Sequence, residues 1–390
     1  MSIGHTIQGG RTTAVVYGDY PDQLEAQQIY ALLDLPAFAG AKVRIMPDHH
    51  AGFGCVIGFT CPLDEEDLAV VPSLVGVDIG CGVNAVRLTG TTKDQTDFEA
   101  FDKHLRTHVP SGFRNRTEVS KDLPYLFKHY LGRGPSWSDF QDTVNDVDWS
   151  ARGDGSKVWH SLGSLGSGNH FLELDQEKDG ADVWLIIHSG SRNFGLRVAE
   201  KHQNVAKTKL GSWGGLAWLT GDDARSYLRE MRLAQQLAAL NRLVMATELV
   251  RFFGLKLADL EMVTSVHNFI GNDDIIRKGA ISAKAGEELI IPWNMRDGCI
   301  LGEGKGNEDW NNSAPHGAGR KMARGRAKRE LSLEEFRDTM KDVWTSCVTR
   351  KTLDEAPMAY KDSQTVEDCI GDTVEIKARL KPVYNFKAGA

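Results

Sequence analysis

Short apolar runs separated by glycine-rich turns recur along the whole chain. The clearest runs are Ala14–Tyr17, Val43–Met46, Val83–Leu88, Val183–Ile187, Met262–Val266 and Leu289–Ile291. Apolar runs of this length bounded by turn residues are typical of buried β-strands. Because helical stretches lie between some of them, we predict a mixed fold of the α+β class, with β-sheets flanked by helices.

A long helix is predicted from about Asp222 to Phe253, followed by a stop at Gly254. Apolar residues recur through it at helical spacing, namely Leu233, Leu237, Leu240 and Val244. Asp222 and Asp223 suit the positive end of the helix dipole.

A second helix is predicted to begin after Ser332, because Ser332 and Glu335 have the spacing of a capping box. Leu331 and Phe336 are placed to form a hydrophobic staple around this cap.

The segment 92–159 is the most polar and irregular stretch of the chain. A chain of 390 residues is compatible with one large domain that carries insertions. We therefore predict a single domain over residues 1–390, with 92–159 as an insertion within it.

The overall charge excludes a generally basic nucleic-acid coat protein. Lys and Arg number 46 and Asp and Glu 53, which leaves a formal net charge of −7. A local basic site on an acidic body stays possible. The sequence shows no signal peptide and no apolar run of the ~18 residues that a membrane span needs. Six cysteines without a Cys-x-x-Cys pair fit reduced thiols, so we predict a cytoplasmic protein without a membrane partner.

Three histidines share one setting at or beside the end of a short apolar run. They are His170 after Ser-Gly-Asn, His188 before Ser-Gly-Ser-Arg, and His267 before Asn. Strand ends are rigid, and metal ligands need fixed positions. The alternative for each one alone is a hydrogen-bonded core histidine.

Asp78 and Cys81 lie in a glycine-rich loop directly after an apolar run, in the string Val75-Gly-Val-Asp-Ile-Gly-Cys-Gly. Such a loop can turn a carboxylate and a thiolate toward one point. With the three histidines they make five ligands, too many for one open tetrahedral site and too few for two separate ones. A thiolate that bridges two metal ions resolves this count. The alternative is a glycine turn with an inert buried cysteine.

His316 is followed by Gly317, Ala318 and Gly319, so little side-chain bulk surrounds its ring. A phosphate could approach the backbone amides and the ring nitrogen together. Arg320 and Lys321 follow and are interpreted as a phosphate clamp. The further basic residues Arg324, Arg326, Lys328 and Arg329 also fit a solvated helix face.

Asp48 stands just past an apolar run, in the turn Met46-Pro-Asp-His-His-Ala-Gly. A carboxylate beside an imidazole fixes its tautomer and raises its basicity. The sequence alone leaves open whether Asp48 meets His316.

The chain resembles the RtcB family of RNA ligases nearly from end to end. The motifs that carry the resemblance are Met46-Pro-Asp-x-His-x-Gly, Val75-Gly-Val-Asp-Ile-Gly-Cys-Gly, Leu165-Gly-Ser-Gly-Asn-His-Phe, His188-Ser-Gly-Ser-Arg, His267-Asn, Arg277-Lys-Gly-Ala, His316-Gly-Ala-Gly-Arg, Ala356-Pro-Met-Ala-Tyr-Lys and Lys387. The resemblance implies β-sheets around a central dinuclear metal cleft. It also implies a GTP-dependent ligase with two Mn²⁺ ions that joins RNA 3′-phosphate or 2′,3′-cyclic phosphate ends to 5′-hydroxyl ends.

The resemblance also implies roles for individual residues. Cys81 would bridge the two metals, Asp78 and His170 would complete one site, and His188 and His267 the other. His316 would carry GMP, and Asp48 would orient it. The nucleotide contacts implied are Asn169, Asn268, Glu173, Tyr360 and Lys387, beside Gly317, Ala318, Gly319 and Arg320.

Several positions depart from the family pattern. They are Trp293 and Asn294 in a loop that is usually small, Asn312 and Pro315 before the active histidine, and Asn193 and Phe194 after His188-Ser-Gly-Ser-Arg. None removes a predicted ligand or the nucleophile. We interpret them as compatible with a divergent relative that repairs cleaved RNA, and tRNA splicing stays open as the alternative.

Two other functions are compatible with parts of this pattern. A metal-dependent phosphodiesterase that opens 2′,3′-cyclic phosphates would need the metal ligands without His316. An RNA-binding protein with structural metals would rely on the basic run and on exposed aromatic residues.

Overall fold

Two β-sheets form the framework of the computed structural model, which describes residues 4–64, 66–132, 134–147, 157–178, 180 and 182–389. The strands are β1 Gly4–Gln8, β2 Thr13–Tyr17, β3 Val43–His50, β4 Ile57–Pro62, β5 Ala69–Val70, β6 Gly82–Leu88, β7 Phe171–Glu177, β8 Val183–Ser189, β9 Leu219–Thr220, β10 Met262–Val266, β11 Asn268–Ile270, β12 Ile275–Lys278, β13 Ala280–Ser282, β14 Glu288–Pro292, β15 Cys299–Gly304, β16 Ser313–Pro315 and β17 Val374–Lys387. All six apolar runs lie in strands, so this prediction is confirmed.

The helices pack around these sheets. They are α1 Gln23–Leu33, α2 Phe98–His108, α3 Leu123–Leu126, α4 Trp137–Asn145, α5 Lys157–Ser161, α6 Arg192–Leu210, α7 Gly221–Val250, α8 Arg324–Glu330, α9 Leu333–Thr339 and α10 Ser363–Glu367. The mixture of largely antiparallel sheets and helices confirms the predicted fold class.

The larger sheet has seven strands in the order β10-β6-β8-β7-β17-β15-β14, and all of its pairs are antiparallel. The six-stranded sheet has the order β1-β2-β3-β4-β12-β11, with one parallel pair between β2 and β3. Two smaller ladders join β13 to β16 and β5 to β9.

Side-chain alternation places the seven-stranded sheet between two apolar layers. In β8, Leu185 and Ile187 face the main core, whereas Trp184 and Ile186 face a second cluster on the other side of the sheet. Helix α7 packs on β6 and β8 from the side of the main core. A sheet covered on both faces explains why its strands appear in the sequence as continuous apolar runs.

The two predicted helices are present. Helix α7 ends at Val250, a single 3₁₀ turn Arg251–Phe253 follows, and Gly254 adopts the left-handed conformation with φ 70°. Ser332 caps α9 by accepting hydrogen bonds from the backbone amides of Glu334 and Glu335. Phe336 is buried in a cluster against which Leu331 packs.

The predicted insertion stays a prediction, and residues 133 and 148–156 of it lie outside the described residues. In its described part, Phe101 and Leu105 of α2 join the main apolar core. In the described ranges, no helix combines the length and the apolar character needed to cross a bilayer.

Gly82 permits the close contact between β6 and β10 on which the site depends. A Cβ atom at this position would lie 2.4 Å from the backbone oxygen of Ser265. Gly82→Ala therefore forces these strands apart, and we expect a loss of about 1–3 kcal/mol in the free energy of unfolding, measured by denaturant titration. Gly371→Ala is the matched control, because a Cβ there would meet nothing within 4 Å. Equal stability of the two variants would contradict this reading.

Candidate metal centre and adjoining cavities

The ends of four neighbouring strands bring four predicted ligands together. Cys81 directly precedes β6, His170 directly precedes β7, His188 lies near the end of β8, and His267 directly follows β10. The strand register explains this proximity. Val83 of β6 and Phe171 of β7 both pair with His188 of β8, so the residues just before β6 and β7 lie near His188. All four side chains are buried.

Cys81 is the shared member of two groups of potential ligand atoms. One group is Cys81, His188 and His267, and the other is Asp78, Cys81 and His170. The sulfur lies 3.2 Å from Nε2 of His188 and 3.5 Å from Nε2 of His170. In each group the ligand atoms all lie within 4.8 Å of one another. Five residues that sequence analysis singled out thus lie around one sulfur atom.

Burial shifts the pKa values of three members of this cluster toward their neutral forms. Burial and the neighbouring Asp78 raise the pKa of the Cys81 thiol well above its ordinary value. Burial and nearby histidines lower the pKa of His188 and of His267 well below theirs. Their Nε2 atoms face each other at 3.4 Å, a close approach of two neutral rings that gains from a cation.

Asp78 and His170 complete the second group with an ordered geometry. Nδ1 of His170 lies 2.8 Å from the carbonyl oxygen of Leu165, which can only accept, so Nδ1 carries the hydrogen and Nε2 faces Cys81. Nε2 also lies 2.9 Å from Oδ2 of Asp78. Burial alone would raise the pKa of Asp78, but the His170 imidazole lowers it to about 2. A carboxylate, a thiol and correctly oriented imidazoles therefore fit divalent metal ions.

Arg242 of α7 holds the loop that carries Asp78 and Cys81. Its Nη1 donates to the carbonyl oxygens of Gly80 at 2.9 Å and Ser189 at 2.8 Å, and its Nε donates to Oδ1 of Asn84 at 2.8 Å. The side chain is completely buried, and burial lowers the pKa of Arg242 to about 10, so it stays a cation at neutral pH. Sequence analysis missed this residue.

His316 lies beside the metal group, with its ring centroid 4.9 Å from that of His267. Its Nδ1 is 2.7 Å from Oδ2 of the fully buried Asp48, so the pairing that the sequence left open is present. Nδ1 of His316 and Oδ2 of Asp48 are close, but their geometry is not that of a hydrogen bond. Within the described ranges, neither carboxylate oxygen of Asp48 has a hydrogen-bond donor. Gly319 has φ 71°, and a Cβ there would lie 2.1 Å from the Asp48 carbonyl oxygen. Only glycine allows this loop to pack so closely on Asp48.

A cavity of about 730 Å³ opens next to His316 and suits a small-molecule ligand in size. We call it the nucleotide cavity because most of the nucleotide contacts that the family resemblance implies lie in its lining. His188 and His267 line its inner end. Nine of the residues predicted from the sequence also line it: Asn169, Glu173, His316, Gly317, Ala318, Gly319, Arg320, Tyr360 and Lys387.

Asn268 differs from the other predicted nucleotide contacts. It lines a separate cavity, also of about 730 Å³, together with Asp78. Its Nδ2 donates to the Asp78 carbonyl at 3.3 Å, and its Oδ1 accepts from the Gly279 amide at 2.9 Å. In this structure its side chain therefore fixes the loop that carries Asp78.

Glu355 lines the nucleotide cavity and, like Arg242, was missed by sequence analysis. Its Oε2 lies 2.8 Å from Nζ of Lys387 and accepts from the Tyr360 hydroxyl at 2.7 Å. Burial would raise the pKa of Glu355, but Lys387 and Arg324 lower it to about 2. Its position directly before the Ala356-Pro-Met-Ala-Tyr-Lys motif was the available signal.

The basic run is partly neutralised by acidic partners. Arg320 and Arg324 pair with Glu355, and Arg324 and Lys328 pair with Asp354. Arg320 also donates to the Asp354 carbonyl at 2.6 Å. The run therefore builds one wall of the cavity as well as presenting charge to it.

Glu173 sits among buried polar groups on the opposite wall. Burial and the nearby Asp175 raise the pKa of Glu173 well above its ordinary value. Burial also raises the pKa of Asp175 to about 7. Nδ2 of Asn385 donates to Oε1 of Glu173 at 2.5 Å. Glu173 is thus placed to exchange this local partner for N–H donors of a ligand.

Fold and site together define a candidate metal-dependent enzyme with a small-molecule cavity. A family model described as tRNA-splicing ligase RtcB matches residues 28–388. The chain therefore belongs to the RtcB family, as the sequence motifs predicted.

Named relatives match over most of their length. RNA-splicing ligase RtcB of Escherichia coli (strain K12) is 30% identical over 389 residues, which cover 93% of each chain. tRNA-splicing ligase RtcB of Aeropyrum pernix is 29% identical over 421 residues, covering 87% of this chain and 86% of the relative. The Nanoarchaeum equitans protein of the same name is 27% identical over 419 residues, covering 88% of this chain and 87% of the relative.

Replacing Arg242 tests its role in holding the metal loop. Arg242→Met leaves three buried acceptors without their donor, and we expect about 10–100-fold weaker Mn²⁺ binding by calorimetric titration. Arg225→Met is the control, because Arg225 lies on the same helix but pairs with the exposed Asp222. Mn²⁺ affinity of Arg242→Met equal to that of the control would show that the loop holds its shape without this side chain.

Proposed function

We propose that the protein is an RNA ligase that uses GTP and two Mn²⁺ ions to join RNA 3′-phosphate or 2′,3′-cyclic phosphate ends to 5′-hydroxyl ends. The observation that carries the proposal is that His316, paired with the buried Asp48, lines the nucleotide cavity and lies beside His267 of the Cys81 cluster. The names of the relatives, RNA-splicing and tRNA-splicing ligases, support RNA as the substrate. Its biological use is in tRNA splicing or RNA repair.

In this proposal, Cys81 would contribute to both metal sites, with Asp78 and His170 completing one and His188 and His267 the other. Bound ions would neutralise the negative charge that phosphoryl transfer spreads over oxygen atoms. Mn²⁺ binds N, O and S ligands weakly compared with later divalent ions, so the family resemblance favours it more than the ligand set does.

His316 acts as the nucleophile in the first step. Its free Nε2 attacks the α-phosphorus of GTP, an N–P bond forms, the bond to the bridging oxygen breaks, and pyrophosphate leaves. Positive charge that develops on the ring is stabilised by Asp48, whose oxygen lies 2.7 Å from Nδ1. Burial of Asp48 strengthens this interaction because no water screens it.

The remaining steps transfer GMP and release it. An oxygen of the RNA 3′-phosphate attacks the phosphorus of the His316 adduct, the N–P bond breaks, and a phosphoanhydride forms. The 5′-hydroxyl oxygen of the second RNA then attacks the 3′-phosphorus, loses its proton, and displaces GMP. A 2′,3′-cyclic phosphate is first hydrolysed to a 3′-phosphate.

The walls of the nucleotide cavity suit guanine and phosphates. Glu173 offers a carboxyl oxygen as acceptor to the N–H donors of the base, and Tyr360 and Lys387 hold the base from the side of Glu355. Asn169 and Arg320 lie in the lining with the small residues Gly317–Gly319, where phosphate oxygens approach backbone amides.

Covalent labelling tests this function directly. We expect labelled GTP and Mn²⁺ to mark the wild-type protein with an adduct that is stable to alkali and labile to acid, as a phosphoramidate is. His316→Ala should take no label, and Asp48→Asn should take it at least tenfold more slowly because the imidazole loses its charged partner. The measurement is gel autoradiography after timed quenching.

His129→Ala, which removes an exposed histidine of the helical turn Phe127–Leu131, is the control and should label normally. If the wild-type protein took no label with any of the divalent ions tried, the proposal would be contradicted. So would His316→Ala protein that still opens 2′,3′-cyclic phosphates at the wild-type rate while the wild type joins no ends, since that pattern belongs to a phosphodiesterase.

A further inference from the structure

Two phenylalanines are strongly exposed on the face of the metal centre that the nucleotide cavity does not use. Phe113 is 98% exposed and Phe53 is 76% exposed. A single exposed apolar residue is ordinary, but each of these lines a cavity that reaches Asp78. Their shared position beside a proposed metal ligand is the starting observation.

The two cavities adjoin each other at three shared lining residues. Phe53 lines a cavity of about 730 Å³, and Phe113 lines one of about 450 Å³. Both are lined by Val77, Asp78 and Arg197, so a chain lying in the first can pass Asp78 into the second. We call this surface the Asp78 groove.

The backbone under each phenylalanine is held in place although the ring is exposed. Nζ of Lys278 donates to the Phe53 carbonyl at 2.5 Å. The amide of Gly112, next to Phe113, donates to the Gly166 carbonyl at 2.6 Å. The same Leu165–Gly166 segment orients His170. The backbone at both positions is therefore tied to segments near the metal group, while the rings themselves face solvent.

The charge of the groove suits an anionic chain. The half that Phe113 lines also carries Lys157, Arg192 and Arg197. The other half carries Arg197, Lys201 and Lys278 against the carboxylates of Asp78 and Glu200, and Lys201 is also paired with Glu230. On a protein with a net charge of −7, this concentration of cations beside exposed aromatic rings is the combination that binds single-stranded nucleic acid.

The two ligand groups of the metal centre face different spaces. His188 and His267 line the nucleotide cavity, whereas Asp78 and His170 line the groove. A joining reaction must bring an RNA end and a nucleotide to one centre at the same time. If the nucleotide occupies the cavity beside His316, the RNA end can still reach the metal group through the groove, from the side of Asp78 and His170.

We propose that the Asp78 groove binds the single-stranded RNA next to the reacting end, with Phe113 and Phe53 as stacking surfaces for bases in its two halves. This inference rests on the proposed ligase function and assigns the position of its RNA substrate. Stacking on an exposed ring tolerates any base, so the groove predicts binding with little sequence preference.

The test compares Phe113→Ala and Phe53→Ala with the wild type on single-stranded RNA that ends in a 3′-phosphate or begins with a 5′-hydroxyl. Loss of one stacked base should weaken RNA binding, and raise the KM for ligation, by about 5- to 150-fold. Phe113→Trp should bind RNA like the wild type, because an indole ring also stacks on bases. Fluorescence anisotropy gives the Kd, and 2-aminopurine placed near the RNA end should lose its stacking-dependent quenching in Phe113→Ala.

Tyr125→Ala removes a 54% exposed aromatic residue that lines a different cavity, and it should bind RNA like the wild type. Unchanged Kd and unchanged quenching in both phenylalanine variants would overturn the inference. GTP labelling needs no RNA and therefore separates the two proposals. A wild type that takes no label refutes the ligase chemistry, while the Kd values still decide whether the groove binds RNA.

Discussion

The packing of four strand ends around the sulfur of Cys81 is the constraint on which the rest of the site depends. Antiparallel register places Gly82 opposite both Ser189 and Val266, which puts Cys81 beside His188 and His267. A slip of one residue would turn His188 to the other face of the sheet. Because the sheet is covered on both faces by apolar layers, this register is strongly fixed. The geometry of the proposed metal centre is therefore a consequence of core packing.

That constraint also gives the centre two faces. The nucleotide cavity approaches it from the side of His188, His267 and His316, and the Asp78 groove from the side of Asp78 and His170. Under the proposed function, reactants that enter through different cavities would meet at the same cluster without competing for one space. The buried Asp48 contacts His316, and the buried Arg242 holds the loop that carries Asp78 and Cys81.

Much of this arrangement could be predicted from the sequence because its signals are local. The apolar runs, the cap at Ser332 and the glycine after α7 each depend on a few neighbouring residues. The histidines at strand ends and the Asp78–Cys81 loop were recognisable for the same reason, and their motifs also identified the family. The meeting of Asp48 with His316 spans most of the chain, so the residues alone could not establish it.

Other features depend on tertiary contacts that the sequence does not encode locally. Arg242 stands in an apolar helix where an arginine suggests a solvent-facing position, yet its partners are the backbone of distant loops. Arg320 and Lys321 were predicted to form a phosphate clamp, but Arg320 is paired with Glu355. Asn268 adjoins His267 in sequence, yet its side chain turns to the Asp78 loop, because successive residues of an extended chain face opposite sides.

The most direct test of the account is electron paramagnetic resonance of the protein titrated with Mn²⁺ alone. A bridging thiolate predicts two ions per chain and the multiline spectrum of an exchange-coupled pair, with both features lost in Cys81→Ala but retained in Cys61→Ala, another buried cysteine. One bound ion, or two ions that give only the spectrum of isolated Mn²⁺, would contradict the claim that Cys81 joins the two halves of the site.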